Sequence, residues 1–383
     1  MKKKFCIVTV LLFTLALCAC SGAGQPSDDA AAYLPDASGP AEQDAPQAAG
    51  CVFDSNLFGG KLRGCAYAGE GKLFVAADKL YLYDTAAASV LATAEAPLQD
   101  FDAQTIDGGY LLSGWGDDGI MAYIYDSALS LKKELAVNEL LAGDIVASET
   151  CGVAVSSDGK KLAFAALGGL YLYDLESGHL STLLDVAQNA GTAGIVLSML
   201  NGAAFSQYNS QILFCGDGRS VPEVNGEGSF FVCGSIAVDG SNLKLTKPSA
   251  YDGIEEMQSS AGRLFFPPAV NQANGSVVWM DRTTGGVNTL SFSADSEGAD
   301  GVYCSEQGNY VATATLGGSL TVRVYDVDSG TLIATEVIEN PDSTYFNRIP
   351  RIYLLDGAKT AVVILGGSIN EVDTLASTFT FGE

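Results

Sequence analysis

Residues that commonly carry out chemistry are scarce in this sequence. Histidine occurs once, as His179 in the turn segment ESGH, so a multi-histidine metal site or a triad using another histidine cannot be built. There is no Gly-rich phosphate loop and no G-x-S-x-G elbow. The segment 295–301, DSEGADG, is rich in oxygen ligands but lacks the spacing of an EF-hand loop. We therefore predict no catalytic residue, no metal and no cofactor.

Two cysteines have a spacing that could support a disulfide. Cys215 ends the apolar run QILFC and Cys233 ends SFFVC, and both are equidistant from residue 224 in the Gly- and Pro-containing segment 218–228. Strands paired across that segment would place the two cysteines opposite each other, within bridging distance. We predict a Cys215–Cys233 disulfide, with a reduced facing pair as the alternative. The other cysteines of the exported part could be small buried hydrophobic residues or disulfide partners.

The elements that must position these residues come from a repeated unit. The stretch SSDGKKLAFAALGGLYLYDLESG (156–178) alternates turn signals with apolar runs, which indicates three antiparallel strands, with a fourth at 180–186. A period of about 40–50 residues with four strands per unit is typical of a β-propeller. Similar strands end at the aspartates that we take as blade centres: Asp84, Asp126, Asp174, Asp239, Asp281, Asp326 and Asp373.

The predicted fold is therefore all-β, a seven-bladed β-propeller over residues 51–383, with six or eight blades as alternatives. Propellers usually close by pairing their chain ends, so we expect CVFDS (51–55) to lie beside the last blade. The aspartate and the aromatic residue before it recur from blade to blade. We interpret them as structural, because a residue type that every blade repeats normally serves the repeat itself.

Two segments resemble known propeller repeats. VSSDGKKLAFAALGGLYLYDLESG (155–178) resembles the WD40-like repeat of bacterial TolB-type propellers, and GGSLTVRVYDVDSGTLIAT (317–335) is similar to a WD40 or quinoprotein-type repeat. The second lacks the Trp that often ends a quinoprotein repeat. At the level of repeat pattern the resemblance covers most of residues 57–383. It implies a propeller fold, and it implies no single function because propellers host unrelated activities.

The candidate ligand-binding residues lie in connections between the second and third strands of three blades. These connections are SGWGDDG (113–119), GDGRSVPEVNGEG (216–228) and PPAVNQANG (267–275), whereas AAD (76–78) and three LGG turns (at 167, 316 and 365) keep this connection minimal in the other blades. Local elaboration of a loop is where binding sites usually occur. The predicted ligand-binding residues are Trp115, Asp117, Asp118, Arg219, Glu223, Asn225, Asn271 and Asn274.

The N-terminus predicts export and lipid anchoring. Three lysines precede an apolar run from Phe5 to Leu17, which is the pattern of a secretory signal. The following LCAC (17–20) resembles the lipobox of bacterial lipoproteins, and that resemblance implies that Cys20 is lipidated after removal of residues 1–19. A plain signal peptide and an uncleaved anchor are the alternatives. The predicted location is the bacterial cell envelope, on the extracytoplasmic side of a membrane.

Composition limits the partners. Residues 20–50 form an acidic linker rich in Ala, Gly, Pro and Ser that could not build a core. Removing the three signal lysines from 20 basic residues leaves 17 against 45 acidic residues, a net charge of −28. This charge argues against binding to nucleic acid and to anionic lipid headgroups.

The sequence supports three functional hypotheses. The favoured one is a lipid-anchored binding or scaffolding module for a protein, peptide or glycan. The second is an enzyme with a site in the central channel, such as a lactonase-like or quinoprotein-like propeller. The third is an envelope assembly-factor lipoprotein. The scarcity of acid–base motifs favours the first.

Overall fold

The structure is a computed structural model that describes residues 53–382 with internal gaps. The gaps are residues 99–100, 117–118, 142–149, 189–190, 223, 225–226, 255, 270–274, 294–298, 340–349 and 366–374. All described residues belong to one compact unit, Ala48–Glu383. The predicted signal, Cys20 and the linker lie outside the described residues. Across the described ranges, no helix combines the length and apolar character needed to cross a membrane.

Antiparallel strands form seven separate sheets, each built from consecutive strands. Blade one comprises β1 (Gly64–Gly69), β2 (Lys72–Ala76), β3 (Leu80–Asp84) and β4 (Ser89–Ala94), and blade two comprises β5 (Asp102–Ile106), β6 (Gly109–Gly116), β7 (Gly119–Asp126) and β8 (Leu131–Ala136). Blade three comprises β9 (Thr150–Val155), β10 (Lys161–Ala166), β11 (Gly169–Asp174) and β12 (Leu180–Asp185). Blade four comprises β13 (Ile195–Phe205), β14 (Gln211–Ser220), β15 (Phe230–Ala237) and β16 (Lys244–Thr246). Short 3₁₀ helices cover Ser55–Leu57 and Val137–Leu141.

The remaining three blades follow the same order. Blade five comprises β17 (Gln258–Ser259), β18 (Arg263–Phe266), β19 (Ser276–Asp281) and β20 (Val287–Ser291). Blade six comprises β21 (Gly301–Cys304), β22 (Tyr310–Leu316), β23 (Ser319–Asp326) and β24 (Leu332–Glu339). Blade seven comprises β25 (Arg351–Leu355), β26 (Thr360–Leu365) and β27 (Leu375–Thr380). The protein is a seven-bladed β-propeller, which confirms the predicted fold class and blade number. Blade seven has three strands among the residues that the structure describes.

Five of the predicted blade centres end the third strand of their blade, and two do not. In blade four, Ala237 takes this position, because its backbone N–H donates across the turn to Ser241 O at 2.9 Å, as Asp174 N–H does to His179 O in blade three. Asp239 lies in the turn that follows. In blade seven the position belongs to Thr380, which pairs with Thr360 as Asp326 pairs with Tyr310.

Asp373 itself lies outside the described residues, before the third strand of blade seven rather than at its end. Asp373 was predicted as a blade centre because the segment INEVD (369–373) ends in Asp, as the repeated strands do. The strand that pairs with β26 is instead Leu375–Thr380, in which apolar and polar residues alternate. The connection between the second and third strands of blade seven therefore spans residues 366–374, and the predicted minimal LGG turn at 365 is wrong there.

The recurring aspartates hold the turn after the third strand. Asp174 Oδ1 accepts hydrogen bonds from Ser177 N–H at 2.7 Å and Ser177 Oγ at 2.8 Å. These donors favour the ionised carboxyl and hold the pKa of Asp174 below its ordinary value. Asp281 and Asp326 accept equivalent bonds in their own blades. The aspartates stabilise a turn, as the repeat predicted.

Buried clusters between neighbouring blades form the core, and one of them closes the ring. It joins Leu73 of blade one to Leu355 and Val362 of blade seven and includes Phe53. Tyr353 Oη donates to Cys65 O at 2.6 Å across the same junction. Phe53 is buried in this cluster without belonging to a strand, and its ring lies 5.6 Å from that of Tyr83 in blade one. Residues 51–52 lie outside the described part, so the placement of CVFDS beside the last blade stays a prediction.

Side chains on the innermost strands also link the blades. Gln104 on β5 donates to Val153 O on β9 at 2.8 Å and accepts from Val155 N–H at 3.0 Å. Gln258 on β17 makes the same pair of bonds to β21, from Nε2 to Val302 O at 2.8 Å and from Cys304 N–H to Oε1 at 3.0 Å. These amides satisfy backbone groups that an edge strand would otherwise leave unpaired.

The two faces of the propeller differ in their connections. Because consecutive strands are antiparallel, turns between strands one and two and between strands three and four share one face, which we call the turn face. Connections between strands two and three and between successive blades share the other face, which we call the loop face. Turn-face connections are short throughout, whereas loop-face connections include residues 137–149, 221–229, 247–257, 267–275 and 366–374.

Candidate functional site

The loop face carries the two described members of the predicted ligand-binding set. Trp115 lies on β6 of blade two and Arg219 on β14 of blade four. The other six residues are in gaps of the description: Asp117, Asp118, Glu223, Asn225, Asn271 and Asn274. The structure places Trp115 and Arg219 on the same face of the propeller, with blade three between their blades.

Trp115 is a strand residue rather than a loop residue. The segment 113–119 was predicted as a lengthened loop, but β6 and β7 continue to Gly116 and from Gly119, and Trp115 pairs with Ile120. The predicted loop is thus an extension of the hairpin. Trp115 is 64% exposed, so it is not folded beneath its own hairpin. An exposed Trp on a paired strand presents a large, rigid apolar surface to solvent.

The hairpin that carries Trp115 is packed against its surroundings. Gly119 has φ +102°, and a Cβ at this position would approach Asn138 Nδ2 to 2.2 Å. Only glycine fits this close approach without displacement of Asn138. Ile120 is buried in the cluster between blades two and three together with Val137. The base of the Trp115 hairpin is therefore fixed by contacts.

Blade four projects beyond the usual strand length on the loop face. Its first two strands pair from Phe205↔Ile212 as far as Ile195↔Ser220, and the exposed Arg219 lies opposite Val196 near the end of this ribbon. Val221 and Val224, which follow it, are 48% and 54% exposed. Sequence reasoning did not select these valines, because no spacing rule separates an exposed apolar loop residue from a buried one.

A charged pair supports the base of this projection. Lys247 Nζ pairs with the carboxylate of Glu227 and lies 3.8 Å from the centroid of the Phe230 ring. The ammonium is attracted both by the carboxylate and by the face of the aromatic ring. The pair joins the connection before β15 to the connection after β16, so that Phe230 is covered on the loop face.

Cys215 and Cys233 face each other in blade four with the register predicted from their spacing. The structure holds both as buried thiols rather than as the predicted disulfide. Burial and the neighbouring Cys215 hold the pKa of the Cys233 thiol well above its ordinary value. Since disulfide exchange requires a thiolate, this environment opposes bond formation inside the folded sheet.

The turn face carries the single histidine of the sequence. His179 is exposed in the turn after β11, where its backbone N–H donates to Ser177 Oγ at 3.3 Å. Within the described ranges, no group of three or more His, Cys, Asp or Glu side chains is arranged to hold a metal ion.

Comparisons with known proteins give a distant likeness of fold. No protein-family model matches the sequence, so the TolB-type and WD40-like resemblance remains a resemblance. No curated protein matches it either. Among solved structures, the chain is similar to one described as Kuenenia stuttgartiensis hydrazine synthase, with 13% sequence identity and a TM-score of 0.47. That match covers 79% of this chain and 92% of the other.

Proposed function

We propose that this protein is a lipid-anchored extracytoplasmic binding or scaffolding module whose loop face engages a protein, peptide or glycan. The asymmetry of the two faces is the observation that carries the proposal. Short hydrogen-bonded turns close one face, and every long connection lies on the other. Ordering a long connection costs more conformational entropy than ordering a tight turn, so the restriction of long connections to one face favours a role in binding.

Trp115 and Arg219 are the proposed anchors of the contact surface. Trp and Arg contribute disproportionately to binding energy when a partner covers them. Both are exposed on the loop face, and both lie near the ends of extended hairpins rather than within loops. A partner that spans blades two to four would reach both side chains. The anchor at Cys20 would hold this surface outside the membrane.

The test compares two double variants in capture experiments with native envelope extract. Trp115→Ala with Arg219→Ala should reduce the capture of a specific partner by at least tenfold, in line with the roughly 2 kcal/mol that defines an interface hot spot. Its thermal unfolding should match that of the parent protein, because both side chains are exposed.

The matched control removes an exposed aromatic residue and an exposed cation from the turn face. Tyr208 is 71% exposed in the turn between β13 and β14, and Lys160 is exposed in the corresponding turn of blade three. Tyr208→Ala with Lys160→Ala should leave capture unchanged. Equal loss of capture in both double variants, or in neither, would place the binding surface elsewhere.

A further inference from the structure

At the interface between blades five and six, one guanidinium nitrogen and one hydroxyl lack hydrogen-bond partners among the described residues. Val311 and Tyr325 of blade six pack against Phe265 and Val277 of blade five. Side chains alternate along a strand, so residues two positions from Val311 or Tyr325 lie on the same side of the sheet. The register of β22 and β23 is unbroken from Tyr310↔Asp326 to Leu316↔Leu320. This side of blade six therefore faces blade five along its length.

The side that faces blade five changes from apolar to polar toward the loop face. Arg323 lies opposite Thr313, and Thr315 lies opposite Thr321 in the next pair on that side. Arg323 and Thr315 are thus diagonal neighbours, at a separation that long side chains can bridge. Arg323, Thr315 and Thr321 are partly exposed, so this part of the interface borders solvent.

Two polar atoms at this place are buried without a hydrogen-bond partner. They are Arg323 Nη1 and Thr315 Oγ1, which have no acceptor or donor among the described residues. A buried donor or acceptor without a partner costs about 1–3 kcal/mol, and more when the group is charged. Buried unpaired polar groups are rare in native proteins, and each needs an explanation, such as a bound water molecule or ion.

We propose that this part of the interface binds a carboxylate group of a ligand, with Arg323 as the cation and Thr315 as a hydroxyl donor. A guanidinium presents parallel N–H donors that match the two oxygens of a carboxylate. The Thr315 hydroxyl can donate to a carboxylate oxygen. A cationic ligand is disfavoured because it would meet the guanidinium.

Aromatic packing closes the interface on the turn-face side of Arg323. Tyr325 Oη is 2.8 Å from Ser293 Oγ, and the Tyr325 ring lies 5.1 Å from that of Phe292. A ligand would therefore enter from the loop face and stop above Tyr325. This site is separate from Trp115 and Arg219, so its failure would leave the proposed function intact.

Binding is tested with three probes at constant ionic strength: succinate, its neutral diamide and inorganic phosphate. Calorimetry should show saturable binding of succinate and none of the diamide. Arg323→Met should weaken succinate binding by at least tenfold and Thr315→Val by a smaller factor. Arg63→Met, which removes an exposed arginine of blade one, should leave it unchanged. Failure of succinate to bind, binding of phosphate alone, or an equal loss in Arg63→Met would overturn the proposal.

Thermal unfolding without ligand gives a second, independent readout. If Arg323 has no partner within the chain, Arg323→Met removes an uncompensated charge, and the melting temperature should rise. Thr315→Val should also raise it. If the guanidinium instead pairs with an acid of residues 294–298, such as Asp295 or Glu297, the melting temperature of Arg323→Met will fall. That result would overturn the proposal, because the site would already be occupied.

Discussion

Glu306 places a carboxyl group at the junction of three blades. It belongs to blade six, its backbone N–H donates to Leu354 O of blade seven, and its carboxyl oxygens both accept from Gly71 N–H of blade one at 3.1 Å. Its side chain is buried, with 6% of the residue exposed. Burial raises the pKa of Glu306 above its ordinary value, and the charge of Asp356 contributes in the same direction.

This pKa shift predicts how stability depends on pH. Because the folded state raises the pKa, it favours the neutral acid, and the resulting stabilisation is present below the unfolded pKa and lost as pH rises through the folded pKa. Glu306→Gln keeps an oxygen that can accept from Gly71 but cannot ionise. We expect the variant to melt at a higher temperature than the parent near pH 8, with a difference that shrinks toward about pH 5.

The control for this measurement is Glu176→Gln, which changes an exposed carboxyl group in a turn-face turn. It should show no comparable trend with pH. A melting difference for Glu306→Gln that is constant across the range would contradict the linkage and leave only a packing effect.

Individual residues could be predicted where their environment follows from the strand that carries them. The Cys215–Cys233 register follows from symmetry about one turn, and the structural role of the aspartates follows from their recurrence. Arg323 could not be found this way. Whether Arg323 Nη1 has a hydrogen-bond partner depends on which residues of blade five face it. Residue spacing within blade six does not predict those residues.

The innermost strands are joined by glutamine side chains, which supports a prediction at the level of elements. Gln104 and Gln258 each satisfy one carbonyl and one N–H of the next blade's first strand. Replacing either glutamine with alanine leaves two backbone groups of an inner strand unpaired. We expect Gln104→Ala and Gln258→Ala each to destabilise the fold by about 2–3 kcal/mol in denaturant unfolding.

Gln188→Ala is the matched control for this prediction. Gln188 is exposed after β12, and its amide donates only to Asp185, three residues earlier. Its replacement should change stability by less than about 0.5 kcal/mol. Similar effects for all three variants would show that the interblade amides contribute no more than a surface contact.

The order of elements was predictable, and the exceptions have physical causes. Turn dipeptides and alternating apolar residues recur closely enough to count seven blades. Blade seven was misassigned because β27, LASTFT, lacks the terminal Asp, while INEVD has one. Strand pairing with β26 depends on side-chain packing along the whole strand, so the Asp signal was misleading. The hairpin of blade two was read as a loop because glycines flank Trp115.

At the scale of the whole molecule, the predicted anchor makes location testable. Diacylglyceryl modification of Cys20 should be visible in the intact mass of protein extracted from membranes. Cys20→Ala should release the protein from the membrane fraction, because we propose that Cys20 alone carries the lipid. Cys51→Ala, a change just beyond the linker, should remain membrane-bound. A Cys20→Ala protein that still partitions fully into membranes would refute the anchor.

The contact that closes the ring also sets the order in which the chain can mature. Tyr353 Oη and Cys65 O meet across 288 positions of sequence, and the side of blade one that carries Leu73 packs against strands of blade seven. This side of blade one can therefore be buried completely only after almost the whole chain has been synthesised. Contacts so distant in sequence slow folding. A chain that stops before β25 would leave Leu73 and its neighbours uncovered, and we expect chaperones and proteases to recognise it as incomplete.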